Sequence, residues 1–146
     1  MLSVVMRHGD DETIRHLLTD TEVWAVVGLS TNTARTAYAI GEYLRRGGKR
    51  VIPVHPTAPT IAGERGYATL GDIPFPVDVV DVFVRSELAG PVVDEAIKVG
   101  AKAVWLQLGV RDEAAARRAE DAGVPIVMDT CPAIEAPRLA LSWPPR

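Results

Sequence analysis

The residues best suited to chemistry cluster where apolar runs give way to small polar residues. In Gly28-Leu29-Ser30-Thr31-Asn32-Thr33, a glycine that allows close backbone approach is followed by hydroxyl residues ahead of a helical pattern. A helix start with small hydroxyl residues is a seat for a phosphate, since its free N–H groups point outward. Arg35 would add a charge-assisted bond to a phosphate oxygen. The same residues also read as a tight-turn glycine, an N-cap supplied by Ser30 or Thr33, and a solvated arginine. The dinucleotide fingerprint Gly-x-Gly-x-x-Gly fails, because Ser30 and Thr33 stand where glycines are needed. The next strand ends at His55-Pro56 and not at an acid that would grip a ribose hydroxyl. No Gly-Lys-Ser/Thr occurs, which excludes a P-loop. Gly28-Leu29-Ser30 begins a nucleophile elbow, but Asn32 replaces its last glycine and no histidine follows the third strand.

The other reactive groups are scattered. His8, His16 and His55 show no metal-ligand spacing, and each is expected at the surface or in a loop. Asp129 and Cys131 follow the last strand as an acid and a thiol, although a lone cysteine is usually a packing residue. Asp78 and Asp81, at the start of the third strand, are expected to cap neighbouring loops, and Trp24 and Trp105 to lie in the core. No catalytic constellation and no metal site emerges.

These groups must be positioned by alternating strands and helices. Asp10 and Asp11 precede a short amphipathic helix over 11–20. Short apolar runs then predict strands over 23–29, 50–55, 77–84, 103–108 and 125–129. Helical spacing predicts helices over 34–46, 87–99 and 112–122, the first stopped by Gly47-Gly48. Residues 56–77 are the longest irregular stretch, with a turn of helix near Leu70 to Ile73. Pro53 cannot donate to a ladder, which places its strand at an edge or an irregularity. A Pro-rich tail follows the fifth strand, and its Leu139, Leu141 and Trp143 are expected to pack back on the domain or against another chain.

This alternation means a parallel sheet covered on both faces. The expected fold is an α/β, Rossmann-like, doubly wound parallel sheet of about five strands in a three-layer sandwich. One domain is expected over 1–146, with its core at about 11–136 and its tail over 137–146. The chain of 146 residues has 47% apolar and 24% charged residues, enough for one sizeable core. A net charge of −3 gives no global basic field for nucleic acid or an anionic membrane. The single cysteine excludes an internal disulfide, and with no export signal or apolar span a cytoplasmic location is expected.

Ligands of such sheets bind beyond the carboxyl ends of the strands, near the reversal of strand order. The strand-end segments, taken together, resemble the small single-domain CoA-binding proteins, which are similar to the N-terminal domain of the succinyl-CoA synthetase alpha subunit. The resemblance rests on residues 25–30 and 47–56, Tyr67 to Pro74, and Val77 to Phe83. Ala101 to Gly109 and Val127 to Pro132 complete it. It implies that Gly28, Leu29, Ser30 and Arg35 hold phosphates of CoA or an acyl-CoA. It further implies that Val54, His55 and Pro56 flank the nucleotide, Val84 and Arg85 the adenine side, and Gln107 and Gly109 the pantetheine arm. Two departures stand out: Thr57 where members often carry lysine, and Thr130 within their Asp-Arg-Cys. With those cations gone, an anion would rest on Arg35, Arg85, Arg65 and backbone N–H groups. The expected function is a ligand-binding module without catalysis, leaving open a protein partner or a homo-oligomer. Its alternatives are an enzyme acting on a CoA thioester through Asp129 and Cys131, a nucleotide- or NAD-sensing domain, and a fold kept only for protein interaction.

Overall fold

A computed structural model describes residues 8–145. Helix α1 (Asp11–Asp20) begins where the Asp10 carboxylate accepts the Thr13 N–H at 2.8 Å, and it buries Ile14, Leu17 and Leu18. The chain then alternates through β1 (Val23–Val27), α2 (Thr36–Arg46) and β2 (Arg50–Val54). A 3-10 turn (Leu70–Asp72) interrupts the long connection to β3 (Val79–Val82). After it come α3 (Ser86–Lys98), β4 (Ala103–Leu106), α4 (Glu113–Asp121), β5 (Ile126–Met128) and α5 (Pro132–Arg138). All ladders are parallel, in the order β2-β1-β3-β4-β5. This is the expected α/β sheet of Rossmann-like type, and β2 carries Pro53 on its edge.

Successive strand residues face opposite layers. Ala25, Val27, Val80, Val82, Val104 and Leu106 pack under α3 and α4. Trp24, Val26, Val79, Ala103 and Trp105 pack under α1, α2 and α5. On that second face the two tryptophans meet with centroids 5.8 Å apart and both are fully buried. Each indole N–H has a partner, Thr21 Oγ1 at 2.8 Å for Trp24 and the Thr130 carbonyl at 2.9 Å for Trp105.

Two sequence expectations need correction. The segment after β5 is no simple irregular tail, because α5 occupies its first half. Pro132 sits at the first helical position, where a missing N–H costs nothing. Beyond α5 the chain packs on its own α2. Trp143 stacks on Tyr43 at 4.8 Å and donates its indole N–H to the Tyr43 carbonyl at 2.8 Å. A Cβ on Gly47 would lie 2.1 Å from the Trp143 ring, so only glycine admits this seat. The second correction is Asp81. Asp78 does cap the backbone, accepting the N–H groups of Glu22 and Val23, but Asp81 is inside β3 and wholly buried. Register places it between Val26 and Trp105, too far inside the strand to reach any loop.

Candidate functional site

Strand order reverses between β1 and β3, since the chain runs outward from β1 to β2 and then returns to the other side. The carboxyl ends there define the crevice where ligands of such sheets lie. Gly28 forms its floor. Its φ of +104° is a left-handed value that suits glycine, and an added Cβ would sit 3.1 Å from Phe83 Cβ across the reversal. Its N–H is tied to the Val54 carbonyl at 2.8 Å, which locks the turn to β2.

The loop from Gly28 to α2 is built from its own polar side chains. Ser30 Oγ accepts the Asn32 N–H at 3.2 Å, and Asn32 Oδ1 accepts that of Ala34 at 3.1 Å. These turn bonds delay the helix, which starts two residues later than its pattern suggests. The N-cap position falls on Arg35, with no side-chain cap bond, so neither Ser30 nor Thr33 caps α2. The first amides of α2 are thus left without a side-chain acceptor at the mouth of the crevice. Arg35 is exposed and makes no ion pair among the described residues.

At the end of β2, His55 is half-buried and its ring is fixed by Thr57. Nδ1 accepts the Thr57 N–H at 3.2 Å and meets Thr57 Oγ1 at 2.8 Å. In the neutral ring the proton therefore sits on Nε2. Pro56 is exposed beside it. Arg65 lies over the Tyr67 ring at 5.2 Å, and Tyr67 in turn bonds the backbone of Pro53 and His55. After β3, Val84 is half-buried, while Arg85 is exposed and only loosely paired with Glu87 at 3.4 Å.

The β4 end is held by a bracket that spacing alone does not reveal. Asp129 adopts a left-handed backbone at φ 61°, and its carboxylate accepts the Gly109 N–H at 2.7 Å and Arg111 Nη1 at 2.9 Å. Ser86 Oγ closes the bracket, donating to the Gly109 carbonyl at 3.3 Å and accepting the Arg111 N–H at 2.9 Å. The Gly109 N–H and the nearby guanidinium of Arg111 hold the Asp129 carboxyl below its ordinary range. Gly109 therefore offers a ligand no free N–H. Within the bracketed loop, Gln107 is 3% exposed and its Oε1 is buried with no partner, while Leu108 stands in solvent.

The structure thus brings Gly28, Ser30, Arg35, His55, Pro56, Val84, Arg85, Gln107 and Gly109 to one edge of the sheet. Two site residues turn away. Leu29 packs into the core against Gly41 of α2, and Val54 lies in the opposite core layer, so each offers only backbone. Cys131 is 6% exposed within the layer under α1, α2 and α5, as its packing reading expects.

His8 lies in a loop, as expected, but its side chain is only 3% exposed. Its Nε2 meets Glu113 at 2.7 Å and its Nδ1 meets Glu120 at 3.0 Å, two carboxylates two turns apart on α4. A neutral ring has one N–H, so this two-sided grip requires the imidazolium. Burial pulls its pKa down, but hydrogen bonds to Glu120 and Glu113 outweigh that and raise it. The grip therefore stabilises the fold fully below the unfolded value near pH 6.5 and is lost as pH rises through the higher folded value. His8→Gln is expected to cost about 1–2 kcal/mol at pH 6 and much less at pH 9, read from urea unfolding at both values. An equal cost at the two pH values would exclude the charged grip. Beside His8, a cavity of about 370 Å³ is lined by Arg111, Glu113, Glu135 and Arg138. Its arginines are already paired, Arg138 with Asp11 and Glu135 and Arg111 with Asp129, and none of the Gly28 crevice residues lines it.

A parallel sheet with a glycine-floored crevice at its strand-order reversal and an uncapped helix start above it is an α/β domain of the doubly wound kind. The chain belongs to the CoA binding domain family, whose model matches residues 22–137. It is 32% identical over 126 residues to the uncharacterized protein YneT of Bacillus subtilis, covering 86% of this chain and 93% of that one. A hypothetical protein from Pyrococcus horikoshii OT3 shares 35% identity at a TM-score of 0.85, covering 95% of this chain and 99% of that one. Part of a dinucleotide-forming acetyl-coenzyme A synthetase from Ca. Korarchaeum cryptofilum is also similar, with 27% identity and a TM-score of 0.67. That match takes in 76% of this chain but 26% of the synthetase. Among the described residues, no helix is long and apolar enough to cross a membrane.

Proposed function

We propose that this protein binds CoA or an acyl-CoA at the carboxyl ends of β1–β4 and performs no chemistry on it. The observation that carries the reading is the crevice over Gly28, with the uncapped start of α2 and Arg35, unpaired among the described residues, above it, in a chain of the CoA binding domain family. A phosphate there meets first-turn amides and a guanidinium, which together favour an anion. The residues further along the sheet suit the rest of the molecule. His55 presents Nε2–H beside the nucleotide, and Gln107 presents its side-chain N–H groups to a neutral amide arm. Because Thr57 is engaged with His55 and carries no charge, nucleotide phosphates rest on Arg35, with Arg65 and Arg85 at the rim.

The rival reading, an enzyme acting on a CoA thioester, would need Asp129 as an acid and Cys131 as a nucleophile. Asp129 is held ionised by Gly109 and Arg111, and Cys131 is packed in the core, so both placements favour binding alone. A location in the cytoplasm and a working unit of one domain accord with this reading. The test is calorimetric titration of ligand-stripped protein with CoA, with NAD and ADP as controls. Saturable micromolar binding of CoA is expected, weakened about tenfold or more by Arg35→Ala. Absence of any heat with CoA, or an Arg35→Ala affinity equal to wild type, would refute the assigned site.

A further inference from the structure

Two polar side chains are sealed into the sheet with nothing to bond. Among the described residues, both carboxyl oxygens of Asp81 and the Oε1 of Gln107 are buried and unpartnered. Buried polar atoms in native folds nearly always find partners, so each group calls for one. The register shows where to look. Asp81 pairs with Trp105, so Gln107, two residues on, projects from the same face one pleat repeat nearer the strand ends. On adjacent parallel strands such positions are one strand spacing across and two rises along, about 8 Å apart at Cα, within reach of a glutamine and an aspartic acid extended toward each other.

Their chemistry is complementary. Among the described residues no cation acts on Asp81, and burial alone pushes its carboxyl group well above the ordinary carboxylate range, toward the neutral form. A neutral carboxyl has an O–H to donate, whereas Gln107 Oε1 can only accept. The other end of Gln107 differs. Its Nε2 makes no hydrogen bond among the described residues, yet it is not one of the sealed atoms, so it keeps contact with solvent.

We propose that Asp81 is a positioning residue for the crevice: its carboxyl O–H donates to Gln107 Oε1, directly or through one buried water, and turns the Gln107 N–H groups toward the ligand. The crevice then presents a fixed donor beside the β4 end and selects a ligand with a carbonyl there, as an amide-bearing arm has. This assignment rests on the CoA-binding reading.

The test combines binding with a spectroscopic readout on the full chain. CoA and ADP, which lacks the amide arm, are titrated into wild type, Asp81→Asn, Asp81→Leu, Gln107→Leu and the Asp81→Leu/Gln107→Leu pair. Asp81→Asn keeps a donor and should bind CoA within about twofold of wild type, which also guards against a misfolded leucine variant. Asp81→Leu should bind CoA about tenfold more weakly and ADP unchanged. The double variant should be no weaker than Gln107→Leu alone. Additive losses, or an equal loss for ADP, would overturn the proposal. The carboxyl carbon of Asp81, followed by ¹³C NMR, should remain in its protonated position at pH 7 and shift in Gln107→Leu. If wild type binds no CoA, the functional reading fails while this resonance still decides the pairing. A carboxyl that titrates in the ordinary range, or is blind to Gln107, sinks it.

Discussion

Trp105→Ala is expected to lower the unfolding free energy by about 3–5 kcal/mol, at the upper end of what a single core truncation costs. Trp105 is wholly buried, stacks obliquely on Trp24, and donates its indole N–H to the Thr130 carbonyl. Truncation leaves a cavity the size of an indole, which neighbours on a parallel sheet cannot close, and it takes that donor from the carbonyl. For a domain whose whole stability is about 5–15 kcal/mol, this is a large fraction. Trp105→Phe separates the two effects, because it keeps much of the packing but not the N–H; about 1–2 kcal/mol is expected from it. Urea midpoints read both. A loss below about 1 kcal/mol for Trp105→Ala would mean that the tryptophan pair is not the centre of this layer.

Gly28→Val should abolish measurable CoA binding, a loss of at least about a hundredfold. Three effects act together. A β-branched residue is strained at a φ of +104°, its Cβ meets Phe83 at 3.1 Å, and its methyl groups fill the floor that a phosphate or ribose must approach. Some of this appears as stability, with about 1–3 kcal/mol lost. The control is therefore circular dichroism at the binding temperature, which should show a folded protein. A folded Gly28→Val that binds CoA like wild type would remove the crevice from the functional account.

Much of the scaffold was legible in the sequence because its signals are local. Val23 to Val27 and Ala103 to Leu106 are apolar runs too short for helices, Val79 to Val82 is another broken by one acid, and glycines close the helices between them. The strand ends, and with them the place of the crevice, follow from that alternation alone. The features that escaped depend on distant partners or on competition between local signals. His8 is defined by Glu113 and Glu120, more than a hundred residues away, and one histidine in a polar segment carries no trace of them. Asp81 reads as a strand-edge acid until pairing with β1 and β4 puts it in mid-sheet. Helix α5 was hidden by Pro132 and Pro137: the first is tolerated at a helix start, whereas the second sits inside this seven-residue helix, where proline ordinarily marks a break. The Ser86–Gly109–Asp129 bracket joins three strand ends, and its one sequence signal is the polar residues flanking each run.

The margins of the sheet carry a further consequence. Along the outer side of β2, Pro53 has no N–H to offer, its carbonyl is taken by Tyr67 at 3.0 Å, and the Tyr67 carbonyl is taken by His55 at 3.0 Å. At the other margin, β5 is three residues long, and the chain at Gly9 lies so close to Val127 that a Cβ there would clash at 2.7 Å. Both margins carry features that blunt an edge, a proline with an occupied carbonyl on β2 and a very short strand at β5. While folded, the protein should be a poor template for edge-to-edge strand pairing, and should resist seeding by amyloid-like aggregates.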